Sequence, residues 1–548
     1  MSGVDYVVVG AGSAGCALAA GLVERTDAHV LLLEAGPEAR DPRIAIPAAT
    51  GDLWFGRNDW AFVTEPQPGL DGRRDTWPRG RVVGGSSAIN VMMWVRGLDV
   101  DFDGWERAGA EGWGAERMNA LFQVIEDDER GLAPTRGVGG AMRIERQRDP
   151  RPLSLAFLDA CAELGMPVVD DYHARPDGAA LTMVTQRRGR RVTAADAFLA
   201  PHRPRRGRPA LGPGRLTVRT GAQVDRVLLE DGRAVGVEVR FGGEVRTVRA
   251  SREVVLAAGA VMTPAILMRS GIGPADELRR HGIDVLVDRP AVGADLQDHV
   301  ASGMVVGTDG GSLHGADRDP RVLARWAARR SGPATSNLGE AIAFIRTDES
   351  EPAPDVELLA IPAPMLDHGR TRFREHGMTV AAIVLTPESR GRIGLRSADP
   401  AAPPVVDPGT FTDDAGRDLA RMASGLRTVQ ALLTGTRALG RHVTSRLEPR
   451  GPLLDAGEFR AHARATAQTL YHPVGTCRMG SDADAPVDPE LRVRGVERLR
   501  VADASVMPRI VRGHTNAPSI AIGVRAAELV AYLPRMTGPD GPPGGGPG

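Results

Sequence analysis

Short apolar runs alternate along this chain with longer helical patterns, and the first run sets the frame for the rest. Tyr6, Val7, Val8 and Val9 are four apolar residues rich in β-branched valine, which predicts a buried strand. They lead directly into Gly10-x-Gly12-x-x-Gly15 and a small-residue helical pattern, so the strand is expected to turn tightly into a helix. In such a turn Gly10 takes the bend and Gly12 lets a pyrophosphate approach the backbone. Gly15 lets helix and strand pack closely, while Ser13 and Ala14 open the helix whose N-terminus faces the phosphates. A second apolar run, 30–33, ends in Glu34, an acid placed to hold a ribose hydroxyl pair and to repel a 2′-phosphate.

Beyond Glu34 the period changes several times. Residues 40–80 read as irregular, with Trp54, Phe55, Trp60 and Trp77 among Pro, Gly and Asp, a length suited to a lid or a cofactor wrap. Residues 98–130 carry a helical pattern whose aromatics, Trp105 and Trp113 among them, read as plain core, and 153–164 read as a helix. Alternation then predicts strands at 216–218, 224–229, 235–239 and 245–248, with Asp231-Gly232 as a hairpin turn, before a strand at 253–257 leads into another helix. Further strands at 341–345, 356–361, 379–385 and 392–395 are expected to form one antiparallel sheet, with a helix at 418–433.

Composition narrows the class. A chain of 548 residues suggests two to four domains, and 42% hydrophobic with 25% charged residues is ordinary for a globular protein. A net charge of -1 gives nucleic acid or an anionic membrane no purchase. All 68 basic residues are arginine, which together with 67 glycines fits a GC-rich coding bias, and the arginine-rich stretch 187–208 reads as a solvated loop. Cys16, Cys161 and Cys477 have no metal spacing, so a zinc site and a disulfide scaffold are not expected. With no basic leader and no run of eighteen apolar residues, no transmembrane segment is expected and a cytoplasmic location is.

Four motifs remain to be placed. Arg79-Gly80-Arg81-Val82-Val83-Gly84-Gly85-Ser86-Ser87-Ala88-Ile89-Asn90 offers amides and hydroxyls at a helix start, and Gly259 to Pro274 follows the strand at 253–257. Near the end, Tyr471-His472-Pro473-Val474-Gly475-Thr476 puts a histidine in a loop, and Gly513-His514-Thr515-Asn516-Ala517-Pro518 opens a helix for which Asn516 is a good cap. With the opening fingerprint, these segments resemble the glucose-methanol-choline (GMC) oxidoreductases, in the family's order, from Asp5 to about Leu533.

The resemblance implies an α/β (α+β overall) chain: a Rossmann-like FAD-binding domain with a parallel sheet and a β-meander, and a substrate domain on an antiparallel sheet flanked by helices. The expected divisions are 1–150, 190–298 and 465–535 for FAD, 151–189 and 299–464 for substrate, and a disordered tail at 536–548. Besides the fingerprint, it implies cofactor contacts at Arg81, Val83, Gly85, Ser86, Asn90, Val91, Met92, Met93, Val224, Asp503, Ala504, Asn516 and Ala517. Val224 would meet the adenine through its backbone. The implied reaction oxidises a small-molecule alcohol to an aldehyde or ketone by hydride transfer to flavin N5. His472 would be general base and Asn516 its partner, not the nearby His514. Activity is then expected to fall as an imidazole of ordinary pKa, about 6.5, becomes protonated.

Ile89 stands where some relatives carry the histidine that attaches FAD, so non-covalent FAD is expected. Ala301 stands where choline oxidases carry a glutamate, which weighs against choline, and bulky Leu470 and Tyr471 favour a dehydrogenase over an oxidase. A flavoprotein of the same fold that catalyses no redox step, such as a lyase, is the alternative. The electron acceptor and the oligomeric state stay open.

Overall fold

The computed structural model describes residues 3–131, 135–203, 210–316 and 319–532. Part of the arginine-rich stretch and the tail at 536–548 lie outside them. Five parallel strands form the first sheet, in the order Leu499–Val501, Glu253–Leu256, Tyr6–Val9, His29–Glu34, Arg215–Thr220. Val8 lies between Leu32 and Val255, and all three are fully buried, as a sheet covered on both faces requires. The edge strand Leu499–Val501 escapes the hydrophobic pattern because Arg500 interrupts it; inside the fold that guanidinium meets Glu253 at 2.9 Å. Ala222–Glu230, Arg233–Phe241 and Glu244–Arg249 form the expected meander. Asp231 and Gly232 have φ of 49° and 77°, as a two-residue hairpin turn of the primed type needs.

The helix Ser13–Arg25 crosses the last helix, Asn516–Ala531, where side chains are missing. A Cβ on Gly523 would lie 2.2 Å from the Ala14 carbonyl oxygen, and one on Gly21 would lie 2.6 Å from the Ala527 Cβ. The crossing places the N-termini of the first and last helices side by side.

The second sheet is antiparallel, in the order Val443–Glu448, Val300–Thr308, Gly377–Val384, Val356–Ile361, Ala341–Ile345, Gly178–Leu181, with Gln468–Thr469 also paired to Val300–Thr308. Alternation sorts its residues cleanly. Met304, Val306, Leu358, Ala360, Val380 and Ala382 join one core with the helices Pro152–Glu163, Arg417–Gln430 and Ala456–Thr466. Ala301, Ile342, Leu359 and Ile383 face the other way, into the core shared with the parallel sheet. Gly178–Leu181 and Val300–Thr308 are not legible as strands beforehand, since GAAL and VASGMVVGT carry no polar alternation when both faces are buried.

Several expectations need correction. Arg392–Gly394 does not join the antiparallel sheet; it pairs with Val405–Asp407 in a separate ribbon. The helix expected at 418–433 spans Arg417–Gln430 and passes into a wider turn at Ala431–Gly435. The irregular stretch 40–80 holds three 3₁₀ turns and a two-stranded ribbon, Phe62–Val63 with Thr76–Trp77. Arg191, inside the supposed solvated loop, is 2% exposed. Trp105 and Trp113 are core, as expected, but their indole N–H groups also hold the carbonyls of Arg509 and Pro489, tying down the C-terminal segment.

Gly523→Val should force the two helices apart at a cost of about 1–3 kcal/mol, the usual penalty of overpacking. Chemical denaturation checks this; a midpoint equal to that of the native sequence would contradict the crossing.

Candidate active site

Val9, Gly10, Leu33, Glu34 and Ala257, at the carboxyl ends of the parallel strands, border an elongated cavity whose far wall is the inner face of the antiparallel sheet. Its unfilled space is about 2290 Å³, open mouth included. At the strand end the residues fit the nucleotide half of FAD. Gly10 turns at φ 102°, and a Cβ on Gly12 would meet nothing within 4 Å, so the backbone there faces open space. Gly12 caps the helix Ser13–Arg25 without a side-chain acceptor, which leaves its first N–H groups to an anion. The second glycine loop lies against the first: Gly85 has φ 54°, and a Cβ on it would approach the Gly12 Cα to 2.6 Å.

Glu34 accepts the backbone N–H of Ala11 through one carboxylate oxygen (2.9 Å) and of Gly36 through the other (2.8 Å). Each oxygen keeps a lone pair for a hydroxyl donor. Burial pushes this carboxyl group up to about 7. Asp503 accepts from the Gly259 N–H and the Thr263 hydroxyl, anchoring the start of the helix Gly259–Arg269, with Ala504 beside it on the cavity wall.

Gly10, Gly12, Ser13, Ala14, Glu34, Gly85, Ser86, Asn90, Val91, Met92, Met93, Val224, Asp503, Ala504, Asn516 and His472 all border the cavity. Gly15, Arg81, Val83 and Ala517 do not. A Cβ on Gly15 would lie 1.9 Å from the Gly10 carbonyl oxygen, so its place is in the helix-to-turn contact. Arg81 stacks on Trp60, 4.8 Å from the ring centroid; the Val83 N–H holds Pro37, and Ala517 is packed in the core.

Sequence reasoning missed Arg191. Its guanidinium donates to the carbonyls of Ile44, Ser87 and Asn90 and to the Thr50 hydroxyl, clamping the loop that carries Gly85 to Asn90. Burial lowers its pKa to about 9. A clamp made of backbone carbonyls leaves no motif to read.

At the other end His472 follows Tyr471, which is held at φ 68°. The His472 backbone N–H donates to Asp298 Oδ1 (2.8 Å), and Thr469 donates its hydroxyl to Asp298 Oδ2 (2.5 Å). Its ring is set by another histidine, one that sequence reasoning did not select. His299 is fully buried, and its Nε2 lies 3.1 Å from the Leu385 carbonyl oxygen, which can only accept. Nδ1 of that ring is therefore the acceptor, and it lies 2.9 Å from His472 Nδ1. With a neutral His299 donating from Nε2, the bridging proton sits on His472 Nδ1, and His472 Nε2 keeps its lone pair.

Burial, followed by the charge of His514, holds His299 down at about 3. Burial, then His514, also lowers His472 well below its ordinary value. The expected fall of activity near pH 6.5 therefore moves to lower pH. His514 packs on His472 with ring centroids 4.7 Å apart, and its Nε2 meets both oxygens of the buried Glu357 at 3.1 and 3.2 Å.

Asn516 is the first helical residue, not the cap; Thr515 takes that position without a side-chain bond. The Asn516 Oδ1 accepts the Ser13 hydroxyl at 2.7 Å, so its NH₂ group is the end left for the cavity. His472 and His514 thus stand together on the cavity wall, and Asn516 borders the same cavity where it meets Ser13.

The GMC oxidoreductase family models match residues 4–301 and 387–523. The chain is 38% identical over 537 residues to an alcohol dehydrogenase [acceptor] of Pseudomonas putida, covering 96% of this chain and 95% of that protein. It is 38% identical over 553 residues to the mitochondrial choline dehydrogenase of Homo sapiens, covering 98% and 91%. Among solved structures it is similar to pyridoxine 4-oxidase from Mesorbium loti, with a TM-score of 0.85 at 34% identity, covering 96% and 98%. The chain belongs to the GMC oxidoreductase family, and the class is that of an oxidoreductase.

His514 is one of the groups that hold the His472 pKa down, so removing its imidazole should raise that pKa toward the ordinary value. His514→Gln is expected to shift the acid limb of the pH–rate profile to higher pH, because protonated His472 cannot accept a proton. An acid limb that stays in place would contradict the coupling of the two rings.

Proposed function

We propose that the protein holds FAD non-covalently in this cavity and oxidises a small-molecule alcohol to an aldehyde or ketone, with His472 as general base. The observation that carries this reading is the fixed hydrogen-bond order from the Leu385 carbonyl through His299 to His472, which leaves a bare imidazole nitrogen at the cavity. The uncapped N–H groups after Gly12 would hold the pyrophosphate, Glu34 the ribose and the Val224 backbone the adenine. The loop from Gly85 to Met93, with Asp503 and Ala504, would hold the remainder. When bound, the flavin supplies the acceptor for the hydride that leaves the carbinol carbon.

The protein's own residues manage the proton and the charge. His472 Nε2 takes the hydroxyl proton as the carbon–hydrogen bond weakens. The Asn516 NH₂ donates to the same oxygen, and the positive end of the helix Asn516–Ala531 favours negative charge nearby. His299 keeps its own proton on Nε2 throughout, so it orients His472 without competing for the substrate's proton.

Ile89 supports non-covalent binding, since its aliphatic side chain borders the cavity where a histidine would be needed for attachment. Leu470 and Tyr471 border the cavity as well, the tyrosine ring 5.2 Å from Trp54, and this bulk supports a dehydrogenase rather than an oxidase.

Anaerobic bleaching of the flavin's visible band by alcohols tests the reading, and a flavin that no alcohol bleaches would instead support a non-redox role. His472→Ala is expected to slow bleaching by about 10² to 10⁴-fold while the protein stays yellow; an unchanged rate would remove the base from His472. Acid precipitation should release the flavin to the supernatant, whereas colour retained in the washed pellet would mean a covalent bond.

A further inference from the structure

The far wall of the cavity carries a pattern that bears on which alcohol enters. Resting on the alcohol oxidation proposed above, we propose that the substrate is an uncharged alcohol with an apolar chain or ring, and that quaternary ammonium alcohols and polyols are rejected.

The pairing of the antiparallel sheet sets the wall in rows. Gly303, Ala381 and Leu359 lie directly opposite one another across three strands, and Thr379 and Ile361 form the next row. All five border the cavity, with Met365 from the adjoining loop. Glycine and alanine in the centre make room, and the aliphatic side chains at the edge give that room an apolar surface.

The hydroxyl and indole groups of this wall already have partners. The Thr379 hydroxyl donates to the Ala363 carbonyl and accepts the Met365 N–H. The Tyr471 hydroxyl bonds His368 Nδ1 at 2.7 Å, and His368 Nε2 bonds Asp75, so the phenol proton is spent on the imidazole. Ser302 is bonded to Thr466, and the Trp54 N–H to the Ile89 carbonyl. A polyol would bury hydroxyl groups here against carbon or against donors with partners of their own, which buried polar groups do not tolerate.

Charge excludes a cation. Among the described residues the carboxylates that border the cavity are Glu34 and Asp503, both at the nucleotide end and both bound by backbone amides. A third carboxylate, Glu357, shares a row of the sheet with Ile383 and Ala301, and His514 stands between it and the cavity and takes both its oxygens. Arg79 borders the cavity at this end and its guanidinium donates to the carbonyls of Pro78 and Tyr471, whereas Asp298 and Asp59, the carboxylates that act on it, do not border the cavity. A trimethylammonium group would lose its water next to a guanidinium and gain no anion.

The test is anaerobic bleaching of the flavin-loaded protein by 1-butanol through 1-decanol and benzyl alcohol, with choline, glycerol and glucose alongside. The apparent kcat/KM is expected to rise about three- to fivefold per methylene until the cavity is filled, and choline and glucose should fall about 100-fold or more below the best alkanol. Choline or glucose matching the alkanols would overturn the proposal, while a flavin bleached by none of them would overturn the oxidation on which it rests.

A readout independent of turnover comes from calorimetry of hexanamide and tetramethylammonium on the same protein. Hexanamide should bind with a negative heat-capacity change and tetramethylammonium should not bind; the reverse order would overturn the proposal. Ala381→Leu, which narrows the centre of the wall, should lower the rates of the longest alcohols more than those of the shortest. An unchanged chain-length profile would remove the wall from the substrate site.

Discussion

Close backbone approach at a few positions without a Cβ is the constraint on which the rest of this structure depends. Gly10 and Gly15 fold the first turn back on itself, Gly85 lays the second glycine loop against the first, and Gly523 lets the last helix touch the first at Ala14. Each contact shortens a distance that any side chain would lengthen. The third has the longest reach: residues 503 positions apart in sequence, Ser13 and Asn516, meet in a 2.7 Å hydrogen bond that turns the Asn516 amide toward the reacting end. The glycine turn and the Asn516 amide are thereby built on the same pair of helix ends.

The reacting end depends on a different economy, in which burial is used to keep imidazoles neutral. A neutral His299 has one donor and one acceptor, and the Leu385 carbonyl takes the donor. The direction of every later bond follows from that single carbonyl. Were His299 protonated, both its nitrogens would donate and His472 Nδ1 would have to accept, moving its proton to Nε2 and leaving that nitrogen no lone pair. Low pKa values in both rings therefore serve the geometry as much as the chemistry. His514 and Glu357 act on the same point from the other side, where the His514 ring packs against His472 and engages both oxygens of the buried carboxylate.

The two sheets divide the work by their pairing. A parallel sheet presents its carboxyl ends, where loops meet helix N-termini and bind anions. An antiparallel sheet presents a face, where every second residue lines a surface that can be small, aliphatic or polar without disturbing the strand order. Substitutions on that face, at Leu359, Ile361, Thr379 or Ala381, alter the wall and leave the glycine loops untouched. Specificity can therefore change while the nucleotide end remains fixed.

The sequence by itself determined the local elements: the opening strand and turn, the Asp231-Gly232 hairpin and the strands at 341–345 and 356–361, because periodicity and glycine chemistry act within a few residues. The motifs around His472 and Asn516 were legible too, through their resemblance to a known family. Only the tertiary structure decided the rest. His299, Glu357 and Arg191 acquire their parts by meeting groups at least 86 positions away, and their partners are a carbonyl, a ring and a set of backbone oxygens that no local pattern announces. Gly178–Leu181 and Val300–Thr308 were hidden for a related reason, since strands buried on both faces lose the alternation that marks a strand. Arg500 and Arg191 misled the reading in the opposite sense, because a charge in sequence says nothing about whether the fold will supply its partners.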